Sequence, residues 1–292
     1  MAINVKQFIL LVFILLLGQS AYSQKVPSSL AVFQSFDNDE NRNTALDFIW
    51  STPFYALIHG GSAYSRLQFD DETTGKNSTY YLGIQSNPLR DWIFGFNYSY
   101  TNVSEQMKIF NSSIFIQKYF NHWNLRLDVG SRLIETEITT ALQNLFQTAD
   151  DTSTDENPWW ALALEVDITP QFSLMASYRQ FQYTLNFGFF NTAVAQPFGY
   201  DLDTINYGAT FPDNIVSVGG NVYLRRWDLG LEYQFINNEF DDTKTTTIIP
   251  SAGFHLNKKW FFNLSLGFSR GVTEDEEDTV GRFLGLGTTF SF

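Results

Sequence analysis

The sequence predicts an all-β chain closed into an antiparallel, up-and-down transmembrane β-barrel of about twelve strands, with ten and fourteen as the alternatives. Two observations carry that expectation. Runs of about ten residues that alternate between apolar and small or polar side chains recur along most of the chain, and a tilted strand of that length crosses a bilayer. In the clearest run, Trp92, Phe94, Phe96, Tyr98 and Tyr100 share one face while Gly95, Asn97, Ser99 and Thr101 share the other. The second observation is a repeated connection: a short polar turn followed by a strand that starts with an aromatic residue. Asn87 to Asp91 precedes Trp92, Asn121-His122 precedes Trp123, Pro170-Gln171 precedes Phe172, Arg225-Arg226 precedes Trp227, and Asn257 to Lys259 precedes Trp260. Aromatics at matching ends of successive hairpins form a girdle at one membrane interface.

Composition agrees with such a wall. Aromatic residues make up 17% of the chain, yet the mean hydropathy is only -0.15. Both follow when half the strand residues face lipid and half face a polar lumen. Beyond the first residues no run of about eighteen apolar positions occurs, so a helical membrane span is excluded. The net charge of -13 argues against nucleic acid as a partner, because counterion release needs Lys and Arg. The chain has no cysteine, which removes disulfides and cysteine-borne lipid from consideration.

Read from the amino terminus, residues 1–23 have the pattern of a signal peptide. Lys6 supplies the positive start, Phe8 to Leu17 the apolar centre, and Ala21-Tyr22-Ser23 the small residues of a cleavage site. Residues 24–44 are polar and aperiodic and read as a periplasmic extension, and the barrel is expected over residues 45–292. Ala45 to Thr52 is ambiguous: an added strand, a continuation of a first strand starting near Tyr55, or a periplasmic cover. The five aromatic-preceding turns should lie on one side. The connections on the other side are mostly longer and acidic: Asp70 to Asn77, Glu137 to Pro158, Leu185 to Asp213, Glu239 to Thr243 and Gly271 to Gly281, with a short one near Ser104. A soluble sandwich or β-solenoid also alternates, but leaves the recurring aromatic starts unexplained.

The chain ends on Leu284, Leu286, Thr288, Phe290 and Phe292 along one face and Gly285, Gly287, Thr289 and Ser291 along the other. Such an end resembles the closing strand of bacterial, Gram-negative outer-membrane β-barrel proteins of the porin-like kind, although no narrower family is evident. The resemblance implies that Phe290 and Phe292 belong to a signal read by the barrel assembly machinery. It further implies short turns in the periplasm, long loops outside, and contact with outer-membrane lipid and lipopolysaccharide.

Strand parity assigns the lumen side. Asn124, Arg126, Asp128, Gly130 and Arg132 share the inward face of one run and Ala161, Ala163, Glu165 and Asp167 that of the next, while Arg179 and Glu232 point inward from later strands. Arg126 and Asp167 are expected to approach each other near the periplasmic end. This ladder of mixed sign reads either as a constriction or binding wall, or as a network that neutralises charges in a narrow barrel. Small inward residues such as Gly83, Gly95, Gly267 and Gly287 leave room for water; Tyr81, Phe115, Phe181 and Phe261 oppose it.

The aromatic-rich segment from Leu185 to Asp213 is expected to fold into the mouth or to present an apolar surface. The acidic clusters at Asp70 to Glu72, Asp150 to Glu156, Glu239 to Asp242 and Glu274 to Asp278 suit loosely bound divalent cations. Asp151, Ser153 and Asp155 alternate like calcium ligands, but Glu156 stands where a calcium loop requires glycine. No specific metal site and no cofactor are expected. Outer-membrane lipid hydrolases use a His-x-Ser arrangement; His59 with Ser62 is the nearest approach and has the wrong spacing. The sequence therefore points to transport rather than to an enzyme: a narrow channel for small polar solutes or ions. A structural, adhesive or secretion-accessory barrel is the alternative, ahead of an apolar-solute transporter.

Overall fold

A computed structural model describes residues 28–37, 42–52, 56–68, 74–86, 89, 91–104, 107–137, 152–182, 212–238, 244–272 and 279–292. The expected signal peptide, the aromatic-rich connection and the cluster Glu274 to Asp278 lie outside these residues. The strands are β1 (Ser29–Asp37), β2 (Arg42–Ser51), β3 (Ala56–Gln68), β4 (Thr74–Ser86), β5 (Trp92–Ser104), β6 (Met107–Tyr119) and β7 (Trp123–Glu137). They continue with β8 (Thr152–Thr169), β9 (Phe172–Phe181), β10 (Pro212–Tyr223), β11 (Trp227–Asn238), β12 (Lys244–His255), β13 (Trp260–Val272) and β14 (Thr279–Ser291). Each pairs antiparallel with its neighbours in sequence, and β1 also pairs with β14, so the sheet closes into a barrel.

The strand number is fourteen, one of the alternatives, rather than twelve. The two added strands correct the expected extension at 24–44: Ser29–Asp37 and Arg42–Ser51 belong to the wall, and the barrel begins near Ser29 instead of at 45. β1 escapes detection by periodicity because Gln34 interrupts the outward row of Leu30, Val32 and Phe36, while the bulky Phe33 lies on the inward side. Closure explains why it forms. Without β1, both β2 and β14 would expose a full edge of unpaired backbone groups, which a membrane does not tolerate.

The expected loop from Glu137 to Pro158 is also shorter than its sequence suggests, since β8 begins at Thr152 and pairs with β7 from Glu137 onwards. Here both faces are polar, with Asp155 and Asn157 buried inside and Thr154 and Glu156 exposed outside. No hydrophobic alternation marks a strand that continues above the apolar band.

The five short turns lie at one end, together with the start of β1 and the end of β14, where the Phe292 amide donates to the Ser28 carbonyl at 2.8 Å. In four of these turns the strand-initiating tryptophan accepts the closing backbone bond: Leu89 to Trp92, Phe120 to Trp123, Leu224 to Trp227 and Leu256 to Trp260. The aromatic starts are thus fixed where each hairpin tightens. Trp123 stacks on Phe120 with centroids 3.6 Å apart, and the Lys118 ammonium sits 4.9 Å above Trp92.

Burial runs inside out. Leu231 is 57% exposed and Leu82 56% on the outer surface, whereas Thr101 and Asn157 are at 0% on the inner one. An apolar belt without protein cover around a polar interior is the distribution of a wall solvated by lipid, and it excludes the sandwich and solenoid readings.

Candidate functional site in the barrel lumen

All seven charged residues assigned to the lumen by parity sit on inward faces: Arg126, Asp128 and Arg132 on β7, Glu165 and Asp167 on β8, Arg179 on β9 and Glu232 on β11. The expected contact between Arg126 and Asp167 is not formed. Arg126 stands opposite Ala163, and the Asp167 amide instead bonds the His122 carbonyl at 2.7 Å, four residues nearer the turn. Arg126 donates to Asp128 of its own strand, from Nε at 2.7 Å and from Nη2 at 2.6 Å. Positions two apart on a strand point the same way, so a long side chain reaches its neighbour without crossing the ladder. The two planar forks match, which makes this the strong, bidentate type of pair.

The arginines also lie across aromatic rings. The Arg126 guanidinium carbon is 3.8 Å from the Phe115 centroid, that of Arg179 is 5.3 Å from Trp159, and that of Arg132 is 5.9 Å from Phe181. Cation–π attraction of this kind holds each charge against the wall. Nearer the turns, Gln117 donates to Asn124 at 3.1 Å and Asn124 to Glu165 at 2.9 Å, tying β6, β7 and β8 together. On the neighbouring wall His59 bonds Asn97 at 3.1 Å, Asn111 donates to Ser99 at 3.3 Å, and Thr79 meets Thr101 at 3.0 Å.

The inward glycines do not open the space expected of them. Gly95 faces Phe115 directly in register and Gly130 faces Trp159. A Cβ on Gly95 would fall 2.2 Å from the Phe115 ring, and one on Gly130 2.5 Å from the Trp159 indole. The rings fill the glycine positions and lie flat on the wall. Gly267 with Phe283 and Gly287 with Phe33 repeat the register pairing on the opposite side. Composition alone hides this, because which aromatic meets which glycine depends on register.

Among the described residues a cavity of about 100 Å³ lies against the inner faces of β3 to β9, bordered by His59, Tyr81, Asn97, Asp128, Arg132 and Arg179 among others. Two apolar clusters narrow the lumen, the first of them forming part of this cavity's border through Trp159 and Phe181. Phe181, Ile215 and Ile236 pack with Trp159, and Ile249 and Phe283 pack with Phe33.

His59 faces the lumen opposite Gly83, while Ser62 faces outward opposite the exposed Tyr80. The imidazole therefore cannot activate that hydroxyl. Residues 152–155 run as extended backbone at the start of β8 rather than as a loop; Asp151 lies outside the described residues. At the terminal end, Phe290 packs between Trp260, at 4.8 Å, and Phe292, at 6.1 Å.

No protein-family model and no curated protein sequence matches the chain. Solved structures do. The barrel superposes on the CymD monoaromatic hydrocarbon channel with a TM-score of 0.58 at 9% identity, covering 92% of this chain and 89% of that one. The KdgM porin aligns with a TM-score of 0.42 at 9% identity over 90% and 99%. An anion-selective porin from Comamonas acidovorans gives 0.46 at 8% identity over 93% and 100%. At 9% identity the likeness to CymD shows a shared fold alone, that of an outer-membrane β-barrel.

Proposed function

We propose that the chain is exported through its amino-terminal signal and resides in the outer membrane as a narrow channel for small polar solutes or ions. The short-turn end faces the periplasm in this reading. The observation that carries it is the cavity against β3 to β9, where guanidinium, carboxylate, amide and hydroxyl groups stand beside the Tyr81, Trp159 and Phe181 rings. Charges held against a low-dielectric wall are suited to selecting what passes. A barrel of fourteen strands falls between the filled interiors of eight strands and the open channels of sixteen, so a constricted path is the physical expectation.

The second reading is a non-conducting structural or accessory barrel, favoured by the two apolar clusters that occupy part of the lumen. Planar-bilayer recording of the refolded full chain separates the two. Discrete conductance steps in simple salt are expected of the channel. A folded, heat-modifiable barrel that carries no current at any voltage would establish the accessory reading instead.

A further inference from the structure

One inward carboxylate lies outside the charge ladder of β7 to β11. Asp47 stands in the middle of β2, opposite Ala31 on β1 and Gly61 on β3. Its neighbours on the inner side of its own strand are Ala45 and Ile49. Among the described residues no lysine or arginine lies on the inner faces of β14 and β1 to β4, since Arg42, Arg66, Lys76 and Arg282 all alternate outward. His59, two residues from Gly61 on β3, turns the other way. Its ring lies over Gly83 on β4, and its Nε2 bonds Asn97 on β5 at 3.1 Å.

Asp47 Oδ1 is buried and makes no hydrogen bond among the described residues, and the same holds for the hydroxyl of Tyr81. The tyrosine is only 7% exposed. Register brings the two oxygens together. Asp47, Gly61 and Tyr81 stand in one row across β2, β3 and β4, and the phenol lies back over Gly61, where a Cβ would overlap its hydroxyl. The hydroxyl therefore sits about one strand spacing, roughly 4.8 Å, from the Asp47 backbone, on the face to which the carboxylate projects. A side chain at 61 would fill the space between them. Buried polar oxygens without partners cost stability, and these two converge on one spot with a single negative charge. Asp47 as a whole is half-buried and Tyr81 borders the cavity described above, so the spot is reached from the lumen.

We infer that Asp47 and Tyr81 hold one monovalent cation against the lumen wall, an alkali ion or the ammonium group of a small amine. One carboxylate balances one positive charge and the phenol oxygen adds a neutral ligand. Calcium takes about six to eight oxygen ligands, and no group of three His, Asp or Glu that could hold a metal ion occurs among the described residues. A bound cation satisfies both oxygens at once. The inference rests on the channel reading for the role of the site, a stopping point on a cation path, but binding itself requires no current.

The test is thermal unfolding of the refolded full chain in detergent, read by heat-modifiable migration, while KCl replaces N-methyl-D-glucamine chloride at constant ionic strength. A parallel series uses methylammonium chloride. A ligand that binds only the folded state raises the midpoint, so the wild type should gain a few degrees once the cation is about tenfold above its dissociation constant. A gain with K⁺ assigns the site to inorganic ions, and a gain with methylammonium alone assigns it to amine solutes. Asp47→Asn should abolish the response and, without K⁺, should unfold no earlier than the wild type, because it carries no unpaired charge. Tyr81→Phe should need about fivefold more cation for half the effect, the usual net worth of one neutral polar contact. Asp91→Asn, which changes an exposed carboxylate in a short turn, should respond like the wild type. A flat wild-type midpoint, or a response that survives Asp47→Asn, overturns the site. So does a Tyr81→Phe barrel that unfolds earlier than the wild type without K⁺, since the phenol then donates to the carboxylate and leaves no place for an ion. A larger response to MgCl₂ overturns the monovalent choice. A barrel that carries no current leaves each outcome readable, and a conducting barrel with a flat midpoint loses the site but keeps the channel.

Discussion

Arg126 and Asp128 form a two-residue unit within one strand, and the environment sets its worth. Both side chains are mostly withdrawn from solvent, and the guanidinium is further confined by the Phe115 ring at 3.8 Å. Asp128→Asn should leave a partly desolvated cation and destabilise the barrel by about 1 to 3 kcal/mol, and Arg126→Gln should cost a similar amount. The double variant should recover part of the loss. Thermal unfolding of the four proteins in detergent checks this, and strictly additive losses would show that the pair is not coupled. The inward direction of both residues was legible from alternation alone. The missing contact with Asp167 was not, because β7 and β8 are joined by the long outer connection, whose length sets no register. Arg126 opposite Ala163 could not be read from the chain.

At the scale of elements, a strand was legible where its lipid face is continuously apolar and its turn is short. β5, β9 and β13 meet both conditions and begin at the positions that periodicity gives. β1 meets neither condition, yet it makes the closing contact. Its nine register positions run from Ser29 opposite Ser291 to Asp37 opposite Phe283, and most of it is at the same time paired with β2. Deleting Ser29–Asp37 should therefore do more than remove one strand from fourteen. β2 and β14 would have to meet directly, with altered shear, or leave two open edges in the bilayer. The deletion is expected to abolish the compact, heat-modifiable form on gels and to leave the protein sensitive to added protease. Retention of a compact, protease-resistant barrel would show that β1 is dispensable for closure.

For the whole molecule, the electrical character of a conducting path depends on how wall and mouth charges combine. Among the named lumen residues, Arg126, Arg132 and Arg179 oppose Asp128, Glu165, Asp167 and Glu232, so opposite signs nearly balance inside. The connections expected at the mouth are not balanced. The chain carries a net charge of -13, and many of its carboxylates fall in the connections expected on the outer side, including Glu274 to Asp278. Asp155 adds to them from within the wall, since β8 carries it to the inner face. Field lines focus in a low-dielectric channel, so an acidic mouth should enrich cations at its entrance. The expected result is cation preference at low salt, measured as a reversal potential across a salt gradient. Screening decides how far that preference extends. The Debye length falls from about 30 Å at 0.01 M to about 3 Å at 1 M, so a contribution from exposed loops should fade as salt rises, while that of the buried wall charges persists. Replacing Glu274, Asp275, Glu276, Glu277 and Asp278 by Gln or Asn should reduce the low-salt reversal potential without closing the pore. If the variant keeps the full potential, or if the wild-type pore prefers anions at low salt, the lumen arginines and not the mouth set the selectivity, and the order of dominance argued here is reversed.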